Sequence, residues 1–246
     1  MKALILAAGY GTRLYPLTEK QAKPLLPVAG KPMVEHVINK VEEVAGVDEI
    51  CVVVNQKFIS QFEEWASSFK SDKKISLFND GSAGDANKLG AIGDMKFVIE
   101  KGEISDDLFV VGGDNLFDFS LSPFAKFFAE KGTSVGLYRV EPVELARKYG
   151  VVELDENGRL LSFEEKPEHP PTDLIAICMY LFPKDKLSFI SDYLGQGNNP
   201  DAPGYYIKWL VQKVTVYGFV FSGMWFDIGD FKSYNEADKA FTGGEK

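Results

Sequence analysis

The sequence predicts an open, mostly parallel α/β sheet within a single domain spanning residues 1–246. Short aliphatic runs alternate with segments of helical periodicity through the first half of the chain. Those runs are unbroken by polar residues, which suits parallel strands covered on both faces. After Thr133 the pattern shifts to strand-like segments, one pair of them joined by the turn signal Glu156-Asn157-Gly158.

In chain order, "KALILA" (Lys2–Ala7) reads as the first buried strand and "PMVEHVINKVEEVA" as the helix that follows. "EICVVVN" and "ISQFEEWASSFK" form a second strand–helix unit. "KISLFND" is a third strand, followed after a glycine-rich loop by the helical "KLGAIGDMKFVIE". "DLFVVGGDN" and "SPFAKFFAEKG" form a fourth unit. Beyond Thr133, "TSVGLYRV", "GVVELDENGRLLSFEEK" and "DLIAICMYLF" are strand-like, and helical segments surround "VTVYGFVFSGMWFDIGD". There is no internal repeat, low-complexity tract or linker, so both halves are expected to share one sheet.

Composition narrows the function. The chain is 45% hydrophobic and 26% charged, the balance of an ordinary soluble globular protein. Its net charge of -9 excludes a general nucleic-acid or anionic-membrane binder, so any cation that meets a phosphate must act locally. Cys51 and Cys178 lie in apolar runs and are expected to be buried, reduced thiols of a cytoplasmic protein. The opening "MKALILAAG" is too short in its apolar part for a secretory signal, and no run approaches a membrane span. A homo-oligomer is compatible with the apolar "FVFSGMWF", for which core is the default reading.

Ligands of open α/β sheets collect at the carboxyl ends of the strands. The loop after the first strand is there, and it carries Gly9, Gly11, Arg13 and, further on, Lys23 beside Pro24. Glycines let the backbone approach an anion, and a guanidinium fork matches phosphate oxygens. A tight turn with two solvated cations is the alternative. The dinucleotide fingerprint is excluded, because Thr12-Arg13-Leu14 breaks it. Asp114 and Asp227 each follow an apolar run at a strand end, placed either to hold a hard cation or to cap a turn or helix. Glu164, Glu165 and Lys166 are consecutive, which also fits surface decoration.

The set and its order decide between these readings. "GYGTRLYPLT…KPLLPV", "GDN", "YGVVE…EEKP" and "WFDIG" together resemble the sugar-1-phosphate nucleotidyltransferases, most closely the glucose-1-phosphate thymidylyl- and uridylyltransferase type. The resemblance spans nearly the whole chain. It implies a Rossmann-like three-layer α/β/α sandwich with a mixed, mostly parallel sheet and a small sugar-binding β insertion. Residues 1–132 would form the nucleotide-binding half and 133–246 the sugar-phosphate half. The reaction implied joins a nucleoside triphosphate, dTTP or UTP, to a sugar 1-phosphate such as glucose 1-phosphate, with Mg²⁺ and release of pyrophosphate.

Residue roles carry over with the motifs. Ala8, Gly9, Gly11 and Thr12 would cradle the nucleotide, with Arg13 on the triphosphate and Lys23 at the reacting phosphates. Asp114 and Asp227 would hold Mg²⁺. Asn115, Gly150 and Glu165 would meet the sugar, and Lys166 would grip its phosphate. A non-catalytic subunit is disfavoured, since the arginine, lysines and aspartates are all present.

Two segments depart from the pattern. The expected base-reading loop is here the longer "NDGSAGDANKLGAIGD", in which Asn79, Gly81 and Asn87 are the candidate nucleotide contacts. Its Asn79-Asp80 start and Asn87 resemble the choline-phosphate cytidylyltransferase branch. Cytidylyl or guanylyl transfer to another acceptor, such as phosphocholine or mannose 1-phosphate, is therefore the alternative activity. In "AICMY", Cys178 stands where glucose-type enzymes carry a glycine, which implies a reshaped sugar pocket.

Overall fold

The computed structural model of the protein describes residues 1–243. Its contacts divide the chain into two compact units interleaved in sequence. The first unit takes residues 2–88, 111–121 and 223 onward; the second takes Met1, 89–110 and 122–222.

The first unit is built on three parallel strands, Lys2–Leu6, Glu49–Val54 and Lys74–Asn79, with Glu49–Val54 in the middle. Ile50 to Val54 are all buried, as the unbroken aliphatic run requires. Glu49 stands at the start of the middle strand, in register with Lys2 on one side and Lys74 on the other, and bridges both ammonium groups at 2.9 and 2.7 Å. The helix Met33–Glu42 buries Met33, Val34, Val37, Ile38 and Val41, the stripe of a 3.6-residue period. The helix Ile59–Ser68 buries Phe62 and Trp65, whose indole N–H donates to Glu35 at 2.9 Å.

A short antiparallel ribbon completes this unit. The strand Asn115–Phe117 pairs with Trp225–Asp227, setting Asn115 opposite Asp227 and Phe117 opposite Trp225. Leu14, Leu26, Val28, Met33, Leu116, Ile228 and Ala237 form one buried cluster. That cluster fastens the first motif, the ribbon and the helix Phe231–Gly243 together, and so brings Arg13 and Lys23 beside residues far along the chain.

The second unit is largely antiparallel. The hairpin Gly150–Leu154/Leu160–Glu165 turns as expected, with Asp155 Oδ1 accepting from the N–H groups of Asn157 and Arg159 at 2.8 and 2.9 Å. The strand Leu174–Phe182 pairs with Gly150–Leu154 and with Ser134–Arg139; the latter pairs in parallel with Tyr217–Val220. The register of Leu174–Phe182 is irregular between Ala176 and Tyr180, and within that stretch Cys178 takes a φ of 51°.

Two core expectations need correction. Cys51 is buried, and burial pushes its thiol up to about 12, but Cys178 is only half-buried, on the same partly open side of its strand as Ala176 two residues earlier. Within "FVFSGMWF" only Phe221 is fully buried, while Val220 and Met224 are exposed. Among the described residues no helix is long and apolar enough to cross a membrane.

Candidate active site

The first motif is held in shape by the protein's own contacts. Asn55, at the end of the middle strand, donates its amide to the Ala8 carbonyl at 2.8 Å. Tyr10 is buried, with its hydroxyl donating to the Ser82 carbonyl at 2.9 Å. Gly11 has a φ of 60°, and a Cβ there would stand 3.2 Å from both the Lys23 and the Thr18 side chains. Its carbonyl accepts from Thr18 Oγ1 at 2.7 Å. Gly11 is therefore required by both backbone and packing. Gly9 differs: it is exposed, and a Cβ there would meet nothing within 4 Å. The loop thus leaves open backbone at Gly9 and Thr12 begins a 3₁₀ turn that carries Arg13.

Lys23 reaches Asp114 from this loop, and Arg13 reaches the turn beyond Asp227. The Lys23 ammonium, in the short 3₁₀ turn Lys23–Leu25, lies 2.7 Å from Asp114 Oδ2. The Arg13 guanidinium lies over Gly229, where a Cβ would stand 3.2 Å from Nη1. Gly229 lies two residues beyond Asp227, the end of the ribbon. Asp114 follows Gly113, where a Cβ would stand 2.9 Å from the Leu6 carbonyl, so this turn sits directly against the first strand.

The helix-cap reading of Asp227 is excluded by geometry. Asp230 does that work, accepting from the Ser233 N–H at 2.8 Å. Asp227 is instead a carboxyl raised to about 6, by burial first and then by the negative charge of Asp114, with Lys23 and Arg13 opposing. Asp114 moves the other way. Burial pushes it up, but the charge and hydrogen bond of Lys23 outweigh this, and its net direction is down. Asp227 stands opposite Asn115, the residue after Asp114, and the charge of one aspartate raises the other, which makes the pair a donor set suited to a hard divalent cation. Mg²⁺ commonly takes one or two carboxylates and completes its shell with water and phosphate oxygens. No group of three or more His, Cys, Asp or Glu placed to hold a metal ion occurs among the described residues, so an all-protein cage is not what this site offers.

The other candidates fall into two groups. Asn79 donates to Gln56 Oε1 at 2.8 Å and accepts from the Gly81 N–H at 2.9 Å, while Asn87 accepts from the Gly84 N–H at 2.9 Å. Both amides therefore shape their own loop, and Gln56 joins them without any local signal in the sequence. Asn115 is 3% exposed, and its amide is taken up by Asp114 and Trp225, so its side chain does not face outward to a sugar.

In the second unit Glu165 stands opposite Gly150 in the hairpin register. A Cβ at Gly150 would stand 3.2 Å from Glu165 Oε2, and a Cβ at Gly204 would collide with the same oxygen. The carboxylate is thus seated against two glycines, of which Gly204 carries no recognisable motif. Burial raises the Glu165 carboxyl, and Lys166, 3.8 Å away, opposes that. Lys166 has a φ of 50° and its N–H donates to the Tyr149 carbonyl at 2.9 Å, which turns its side chain out to 64% exposure.

The sequence matches the family described as Nucleotidyl transferase over residues 2–243. It is 32% identical over 243 residues to the bifunctional protein GlmU of Methanocaldococcus jannaschii, covering 97% of this chain and 54% of that protein. It is 33% identical over 250 residues to the UTP–glucose-1-phosphate uridylyltransferase of Synechocystis sp., covering 96% of this chain and 62% of that one. The chain therefore spans between about half and three-fifths of the length of these curated relatives. A crystal structure of UDP-glucose pyrophosphorylase complexed with UDP-glucose superposes with a TM-score of 0.82 at 21% identity, over 98% of this chain and 97% of the other. The shared fold is the Rossmann-like α/β architecture with a mixed sheet and flanking helices that the motifs imply.

Proposed function

The chain belongs to the nucleotidyl transferase family, and we propose that it transfers a nucleotidyl group from a nucleoside triphosphate to a sugar 1-phosphate. The preferred substrates are dTTP or UTP and glucose 1-phosphate, the latter pair in keeping with the name of the Synechocystis relative. The observation that carries the reading is the meeting of Arg13, Lys23, Asp114 and Asp227 in one unit of an acidic protein.

The chemistry needs no protein nucleophile. A phosphate oxygen of the acceptor attacks the α-phosphorus in line, forming one P–O bond. The α–β bridge bond breaks, and its electron pair leaves with pyrophosphate. Catalysis is then positioning and charge neutralisation. Open backbone at Gly9 to Thr12 receives the triphosphate. Arg13 faces the departing phosphates, and Lys23 neutralises charge at the α-phosphate. Asp114 and Asp227 would hold Mg²⁺, which supplies Lewis-acid neutralisation of phosphate oxygens when bound. Glu165 orients the acceptor hydroxyls, and Lys166 holds its phosphate. The Asn79–Lys88 loop carries base choice.

The test is pyrophosphate release over a grid of nucleoside triphosphates and phosphate acceptors, with and without Mg²⁺. The expected result is strongest turnover with dTTP or UTP and a hexose 1-phosphate, only when Mg²⁺ is present. Preference for CTP and phosphocholine would replace the acceptor assignment, and metal-independent turnover would remove the role given to the aspartates.

A further inference from the structure

We infer that Trp225, acting through Asn115, is a positioning residue that fixes the Asp114 carboxylate for the divalent cation; this rests on the metal reading proposed above. The ribbon geometry makes the link. Phe117 is opposite Trp225 and Asn115 is opposite Asp227, so Trp225 and Asn115 are diagonal neighbours across the pair. A diagonal is within reach of a large aromatic side chain. The indole N–H indeed donates to Asn115 Oδ1 at 2.8 Å, and Asn115 Nδ2 donates to Asp114 Oδ1 at 3.0 Å.

The direction of this chain is set by chemistry. An indole nitrogen is a donor only, so the atom of Asn115 that faces it must be the carbonyl oxygen. The amide NH₂ is then committed to the Asp114 carboxylate. Asp114 Oδ1 is held by Asn115 and Oδ2 by Lys23, so the carboxylate has one orientation. Trp225 and Asp227 are two apart on one strand and share a face, so the strand that provides one candidate metal ligand also orients the other. Partners of this kind, one bond removed from the metal, typically change metal affinity or activity by roughly 10- to 100-fold when lost.

The experiment measures Mn²⁺ binding to the full chain by electron paramagnetic resonance, with a non-reacting nucleoside triphosphate analogue present. Trp225→Phe, Asn115→Ala, their double variant and Asp114→Asn/Asp227→Asn are compared, with thermal midpoints read alongside. Asn115→Ala is expected to weaken Mn²⁺ on the order of 10-fold or more, and Trp225→Phe by several-fold. The double variant should bind as Asn115→Ala does, because the relay passes from the indole to Asp114 through the Asn115 amide. Wild-type affinity in Trp225→Phe, or losses that multiply in the double variant, overturns the relay while leaving the metal site standing. If Trp225→Phe does not fold, an Asn115→Ala affinity within twofold of wild type overturns it. Wild-type binding no tighter than that of the Asp114→Asn/Asp227→Asn variant removes the metal reading and the relay together.

Discussion

In the first unit the Lys23 side chain is 9% exposed and its partner Asp114 is 37% exposed; in the second unit Glu165 is 12% exposed and Lys166 is 64% exposed. One unit buries the cation and offers the carboxylate. The other buries the carboxylate and offers the cation. Each unit thus pairs a lysine with a carboxylate but leaves the opposite member of the pair the more exposed. A presented carboxylate backed by a buried ammonium suits a metal–triphosphate complex. A presented ammonium backed by a buried carboxylate suits a phosphate attached to a hydroxyl-bearing ligand.

The largest expected effect comes from erasing the carboxylates the first unit offers. Asp114→Asn or Asp227→Asn should lower kcat by at least about 10³-fold, since several kcal/mol of metal-mediated charge stabilisation is lost. Circular dichroism should show the fold intact. Retention of most turnover at saturating Mg²⁺ in both variants would break the comparison at its metal side.

Next comes the buried cation. Lys23→Ala should lower kcat by roughly 10²–10³-fold, the range for losing one preorganised donor to developing charge. Forward synthesis and pyrophosphorolysis should fall by similar factors, because both cross one transition state. Lys20→Ala, an exposed neighbour, is the control. A rise in KM alone, matched by the control, would show that Lys23 acts as general positive charge and not on the transition state.

The second unit is probed by crowding its buried carboxylate. Gly204→Ala drives a methyl into Glu165 Oε2, whereas Gly9→Ala meets open space. Gly204→Ala should raise the acceptor KM by about 10-fold, the loss of one hydrogen bond to a charged group, and leave the triphosphate KM alone. Lys166→Ala should show the same selectivity with a smaller rise, because an exposed charge is screened. Either variant weakening the triphosphate equally would mean the two units do not divide the substrates.

The smallest effect concerns stability. Lys74 and Ser76 hydrogen bonds, with Lys2, hold the Glu49 carboxyl down at about 2 against burial. A depressed carboxyl stabilises the fold above its unfolded value of 4.5, and that contribution is lost as pH falls toward 2. Glu49→Gln should therefore lower the thermal midpoint at neutral pH by a few degrees, for about 1 kcal/mol. The gap to wild type should close as the pH is lowered through that window, with turnover unchanged.

Much of this was legible from residue order. The strand–helix alternation, the Asn157-Gly158 turn and the placement of Asp114 after an apolar strand follow from local periodicity and turn chemistry. What was not legible depends on register or on distant packing. Lys23 meets Asp114 across 91 positions, and Trp225 meets Asn115 across 110. Asn115 looks like an outward polar residue after an aspartate until the ribbon turns it inward. Gly204 and Gln56 carry no local signal, because their importance lies in what Glu165 and Asn79 press against. Cys178 has left-handed backbone within an otherwise apolar strand, and only the break in pairing between Ala176 and Tyr180 accounts for it.

Synthesised from its amino terminus, the polypeptide makes Arg13 and Lys23 early and Trp225 and Asp227 late. Until the late strand zips onto Asn115–Phe117, Asp114 has its lysine but no second carboxylate. The two aspartates therefore come together only through a pairing between segments more than a hundred residues apart, so a chain that has not yet made Trp225–Asp227 has one half of the proposed pair.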